Sequence, residues 1–199
     1  MQIHDLEQRS PEWYAVRCGI PTASNFKKII TSQGKPSTSA TGYMHELLAE
    51  WMGASKEPFE TEWMVRGTEM EAEAMAFYEF QTGLDVKQVG FITELDGLVG
   101  CSPDGLMPSK GLEMKSPKAS THVKYLLDGA CPADYVPQVQ GCMWITGMDE
   151  WDFLSYHPEL DPLLITVKRD KPYIAAMEAE MHKFIEKMLH LRAKLKGAA

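Results

Sequence analysis

Ser102-Pro103-Asp104-Gly105, with Gly111-Leu112-Glu113-Met114-Lys115 close behind it, predicts two short strands separated by a turn. The apolar run 98–102 stops at Pro103, Asp104-Gly105 makes the turn, residues 108–111 stay out of regular structure, and 112–115 resumes as a strand. Alternate strand residues share a face, so Glu113 and Lys115 point one way and Met114 the other. If the two strands pair, Asp104 at the end of the first lies beside Glu113 in the second. Two carboxylates and one ammonium then converge on one spot.

That trio suits metal-assisted phosphodiester cleavage. Hard divalent ions such as Mg2+ take oxygen ligands, commonly one or two carboxylates with water and phosphate completing the shell. The ion neutralises phosphate charge and acidifies a bound water, and a lysine can orient or deprotonate that water. A hairpin carrying a surface Glu-Lys pair has the same local pattern, so the trio alone leaves both readings open.

Composition narrows the class. The chain has 199 residues, 44% hydrophobic and 24% charged, which is ordinary for a globular protein and favours a single domain over 1–199. No apolar run reaches the length of a membrane span, and the start, Met-Gln-Ile-His-Asp, is not signal-like. Cys18, Cys101, Cys131 and Cys142 form no close pair, which argues against a zinc ribbon or iron–sulfur cluster. Reduced thiols in a cytoplasmic protein are expected. The net charge of -8, from 28 acids and 20 bases, speaks against indiscriminate coating of nucleic acid. It leaves room for a nuclease with a few bases along one groove and metals supplying local positive charge.

Ser10-Pro11-Glu12 starts a helix that stops before Gly19. Ser24 caps a short helix at 25–30, a polar loop covers 31–41, and 43–51 is a third helix. Residues 53–62 read as irregular. Thr68 caps a long helix ending at Gly83, on which Met70, Ala74, Phe77, Tyr78 and Gln81 gather on one arc, with Met75 at its edge. Glu69, Glu73 and Glu79 lie off that arc and read as a solvated face. Glu71 lies on it, and an acid on a core-facing stripe needs a partner, of which a metal is one kind. Strands follow at 86–93, 98–102 and 112–115, then helices capped by Ser120 to about 128 and at 135–145, the second carrying Gln138 and Gln140. Strands at 151–156 and 163–167 precede a last helix from Asp170 and Pro172 to about 196. Its stripe of Ile174, Met177, Met181, Phe184, Ile185 and Met188 reads as core or a subunit contact. The expected class is α/β, a mixed sheet flanked by helices, which by itself does not set an activity.

Five blocks occur in one order: Trp13-x-x-x-Arg17-x-Gly19 with Thr22-Ala23-Ser24; Gly67-x-x-x-Glu71-x-x-Ala74; Ser102-Pro103-Asp104-Gly105; Leu112-Glu113-Met114-Lys115-Ser116-Pro117; and Gln138-Val139-Gln140-x-x-Met143-Trp144. Together they resemble the phage lambda exonuclease family, the YqaJ-type viral recombinases of the PD-(D/E)xK nuclease superfamily. The resemblance implies a restriction-endonuclease-like core with a central mixed sheet. It implies a processive exonuclease that digests one strand of linear duplex DNA from a 5' end with two Mg2+ ions, Mn2+ being a possible substitute. By matched position, Asp104, Glu113 and the Met114 carbonyl would ligate metal, Glu71 would hold the second ion, and Lys115 would position or activate water. Arg17, Ser24 and Ser102 match a pocket for the terminal 5'-phosphate, which suits a forked cation with hydroxyl donors. Gln140 would hold Lys115 or the water, against the plain alternative of an ordinary helix amide.

The resemblance further implies a homotrimeric ring around DNA, a single-strand annealing protein as partner, and a place in phage-type recombination. No residue matches the strand-separating wedge, for which Met52, Phe59 and Trp63 are candidates. Two other functions compete: a structure-specific or restriction-type endonuclease on the same core, and an inactive DNA-end binding module.

Overall fold

The computed structural model describes residues 1–54 and 62–197, with the side chains of 62–69 left outside the description. Phe59 and the Trp63 side chain therefore fall outside it, whereas Met52 is exposed just beyond the second helix. Two sheets form in place of one. Strands β1 (Gln2–His4), β2 (Phe91–Glu94) and β3 (Val99–Cys101) make an antiparallel sheet in the order β1-β2-β3. Strands β4 (Gly105–Leu106), β5 (Lys110–Lys115), β6 (Glu150–Ser155) and β7 (Leu163–Lys168) make a mixed sheet in chain order, with β5 and β6 parallel. The expected pairing of the strands before Pro103 and after Gly111 does not form. Pro103 diverts the chain out of the first sheet, and Gly105 and Leu106 start the second by pairing with Leu112 and Gly111. Gly105 permits this close approach, since a Cβ there would sit 2.0 Å from Val86 Cγ1.

Helices α1 (Pro11–Arg17), α2 (Ala40–Trp51), α3 (Glu62–Thr82), α4 (Ala119–Asp128), α5 (Val136–Thr146) and α6 (Lys171–Gly197) flank the sheets. The Ser10 hydroxyl accepts from Trp13 N and Pro11 occupies the first turn, as the sequence predicts for α1. Residues 23–28, expected as an α-helix near there, form a tighter 3-10 helix. Thr68 does not begin α3, whose first turn lies at Glu62.

Helix α5 is buried on nearly every side and packs against the 23–28 turn, α6 and both sheets. The α6 stripe of Ile174, Met177, Met181, Phe184, Ile185 and Met188 is core. On the other face of the mixed sheet, Leu112, Met114 and Leu154 meet Ala74 and Tyr78 of α3. Between these layers β5 carries Glu113 and Lys115 toward one side and Met114 toward the other.

Candidate active site

The site grows from the shortness of β4. Past Leu112, no strand among the described residues covers the outer edge of β5, so the Met114 amide has no ladder partner there. Asp104 supplies one: its backbone N–H donates to Leu112 O (3.1 Å) and its Oδ2 accepts from Met114 N (2.6 Å). A strand residue's N–H and C=O leave on the same side, so the Met114 carbonyl shares that open edge. Lys115 O is instead spent on Tyr156 N at the β6 side.

Glu113, 1% exposed, pairs with the Lys115 ammonium. Burial pushes the Glu113 carboxyl up to about 7, with Lys115 opposing and Asp104 reinforcing the shift. Burial likewise raises Asp104, against the pull of Lys115 and of the Met114 N–H. For Lys115, burial works against the charge, but Glu113 and Asp104 outweigh it and hold the amine above its ordinary value. It is a protonated donor in this arrangement, suited to orienting an oxygen. The Tyr135 ring lies 5.4 Å from its Nζ.

Glu113 Oε2 is buried with no partner at hydrogen-bonding geometry. Gln138 stabilises the ionised Glu113 without closing a full bond on that oxygen. Gln140, expected beside Lys115, is committed elsewhere: its Nε2 donates to Lys168 O and its Oε1 accepts from Asp170 N, both at 2.9 Å. The two amides are two positions apart on a helix, about 200° around its axis, so only one can face β5. Gln138 is that one.

Glu71 and Asp104 line one cleft of about 380 Å3 together with Met114, Arg9 and Gln88. The sequence places Glu71 on the buried arc of α3, yet its side chain is 47% exposed and faces the cleft, with Arg9 as partner at 2.7 and 3.0 Å. Glu73 and Glu79 are more than a solvated face: Tyr156 donates to Glu73 (2.6 Å) and Val86 N to Glu79 (3.2 Å). Among the described residues, no three His, Cys, Asp or Glu side chains are drawn together closely enough to hold an ion by themselves. The donors nonetheless fit a hard divalent ion, which takes few carboxylates plus a carbonyl and water. Asp104, Glu113 and the Met114 carbonyl are all oxygen, and the orphaned Glu113 Oε2 is the kind of buried atom that calls for a ligand.

A second cluster adjoins β3. Arg17 donates to Ser102 Oγ (2.8 Å), and its guanidinium lies 3.8 Å from the Trp13 ring centre. Trp13 Nε1 donates to Gly90 O (2.8 Å) and Ser102 Oγ (3.1 Å). Burial pulls Arg17 down to about 10, which leaves it charged at neutral pH. Ser24 is exposed at the start of the 23–28 turn and contacts Thr22 Oγ1 (3.3 Å). Thr22 bridges to Gly100, and Gly100 N bonds Pro21 O, so that turn is tied to the strand leading into Ser102. Arg17 and Ser102 thus meet directly, and Ser24 joins them through the backbone.

The sequence alone marks neither Gln138 nor Arg9 as a site residue. Gln138 stood in the quoted Gln-Val-Gln block, but its helix phase was unreadable. Arg9 carried no signal.

This architecture is a restriction-endonuclease-like fold. The chain belongs to the YqaJ-like viral recombinase domain family, whose model matches residues 12–149. In structure it is similar to LHK-Exo, an alkaline exonuclease from Laribacter hongkongensis, at 32% identity and a TM-score of 0.87 over 95% of this chain and 97% of that one. A phage-related exonuclease from Haemophilus somnus 129PT shares the fold at 16% identity and a TM-score of 0.69, over 88% and 96% of the two chains. A protein of Acanthamoeba polyphaga mimivirus is 27% identical across 77% of this chain, which spans only 30% of that relative's length. No helix among the described residues is long and apolar enough to cross a membrane.

Proposed function

We propose that the chain is a Mg2+-dependent exonuclease that digests one strand of linear duplex DNA from its 5' end. The observation that carries this reading is the buried, unpartnered Glu113 Oε2 beside an Asp104 held at an open strand edge. Likeness to LHK-Exo supports it, and that enzyme has also been solved with dAMP, a mononucleotide of the type an exonuclease releases. Asp104, Glu113 and the Met114 carbonyl would hold one ion, with Glu71 serving a second and Mn2+ able to substitute. When bound, such ions polarise the phosphodiester and lower the pKa of water.

The chain's own residues do the rest. Lys115, kept protonated by the two acids, donates to the attacking water or to a phosphate oxygen. Gln138 steadies Glu113. Asp104 stays aimed because its second role is to satisfy the Met114 amide. The Arg17–Ser102 pair, with Ser24 alongside, receives the terminal 5'-phosphate, which sets the polarity. Action as a homotrimeric ring, processivity, a single-strand annealing partner and a role in recombination belong to this same reading.

Digestion of one linear duplex labelled at either end, with and without 5'-phosphate, in Mg2+ and in EDTA, tests it. Expected is loss of label from phosphorylated 5' ends in Mg2+ only, with closed circles spared. Cutting of circles would favour an endonuclease, and binding without hydrolysis an inactive end-binding module.

A further inference from the structure

Arg9 occupies a place that its residue type does not explain. Its φ of 71° lies in the left-handed region, which residues with a Cβ seldom adopt. The neighbouring Gln8 pins the arm, its Nε2 donating to Val89 O (2.8 Å) and Pro103 O (3.1 Å), so Arg9 is delivered next to Asp104. From there a single guanidinium nitrogen, Nη2, donates to both oxygens of Glu71, at 2.7 and 3.0 Å, inside the cleft that Asp104 and Met114 line. Its field also reaches Asp104. An incidental surface pair needs neither an anchored neighbour nor a strained backbone. Both partners are 47% exposed, so water competes for each and the pair is readily exchanged.

We propose that Arg9 is a placeholder cation: it occupies Glu71 when no second divalent ion is bound, and moves to a phosphate of the duplex when that ion takes its place. This rests on the functional reading above. Arg9 occupies a lone pair on each Glu71 oxygen and sets a positive charge beside them, so an ion approaching that carboxylate competes with the guanidinium. The freed guanidinium is permanently charged, and its natural acceptor is the sugar–phosphate backbone entering the cleft. Ion and duplex then favour each other's binding, and the linkage is reciprocal.

The test uses the full chain titrated with Mn2+ alone and followed by electron paramagnetic resonance, then repeated with a 5'-phosphorylated duplex bearing hydrolysis-resistant phosphorothioate linkages. Arg9→Gly is the main variant, since glycine accepts the φ of residue 9 and removes the guanidinium. Wild type should bind its second Mn2+ several-fold more tightly with duplex than without. Arg9→Gly should already bind that ion several-fold more tightly without duplex, and the duplex should then add little. Arg9→Lys, which keeps the charge but not the planar guanidinium, should fall between. Two Mn2+ sites in wild type with an unchanged Arg9→Gly isotherm overturn the placeholder alone. Weaker Mn2+ binding by Arg9→Gly overturns it too, because Arg9 would then be a prop for Glu71. A wild-type chain that binds no Mn2+ overturns the functional reading itself.

Discussion

Asp152 and Glu113 sit on adjacent parallel strands, one register step apart, each with 1% of its side chain exposed. Their surroundings could hardly differ more. Asp152 is saturated: Tyr78 donates to Oδ2 (2.6 Å), Lys110 sits 2.6 Å from the same oxygen, and Thr166 donates to Oδ1 (2.6 Å). It ties α3 and β7 to the middle of the sheet and leaves neither oxygen without a partner. Glu113 has a lysine on one oxygen and nothing at bonding geometry on the other. A buried acid with a finished network needs no further explanation, whereas one with an unfinished network asks for one, and the proposed metal supplies it.

The contrast breaks most decisively by exchange of the two acids' fates. Glu113→Gln should lower nuclease turnover at least about a thousandfold, as loss of several kcal/mol of metal-borne stabilisation requires. Its effect on the urea midpoint should be small, because the neutral amide relieves a costly buried charge while Asp104 remains to compensate Lys115. Asp152→Ala should do the reverse, costing about 3–5 kcal/mol of folding stability by stranding Lys110 and the Tyr78 hydroxyl. If equilibrium unfolding ranks the two variants the other way, the division between scaffold and site is wrong. Lys115→Ala comes next: single-turnover cleavage should fall far more than duplex affinity, and equal losses would make the lysine a binding group.

The paired glutamines sharpen the same contrast at smaller scale. Gln138→Ala should reduce metal affinity or cleavage about 10–100-fold, the usual cost of losing a partner of a metal-ligating group. Gln140→Ala should leave turnover of the folded protein intact while costing about 1–3 kcal/mol, since Lys168 O and Asp170 N lose their buried partner. Smallest is Arg17→Ala, which should cut the preference for 5'-phosphate over 5'-hydroxyl ends about tenfold, the worth of one charge-assisted contact. An unchanged ratio would remove the phosphate pocket from the account.

What could be read beforehand followed chain distance. Asp104, Glu113 and Lys115 lie within one hairpin, where turn residues and strand alternation set direction, and their convergence was legible. The strand pairing behind it was not, because β4 has two residues and β1 has three, too few for any periodicity to register. Gln138 and Gln140 show a different limit. Residues buried on nearly every side of α5 leave no apolar stripe from which a helix phase can be taken, so the sequence does not choose between them. Glu71 shows the opposite limit: the arc through α3 puts Ala74 and Tyr78 in the core, but it also takes in Glu71, whose side chain is half exposed and faces the cleft. Arg9 and Gln8 precede the first predicted helix, where pattern has no purchase.

The brevity of β4 carries one more implication. Sheet rims that stop early invite unwanted partners, and proteins normally hide or blunt them. In this chain a single carboxylate stands in for a missing peptide group, and the neighbouring carbonyl is left on a rim that no described strand reaches. Extending the hairpin by one dipeptide on each arm would complete the zipper of amide bonds and make a sturdier molecule. It would also evict Asp104 from that edge and, on the proposed function, cost the chain its ion.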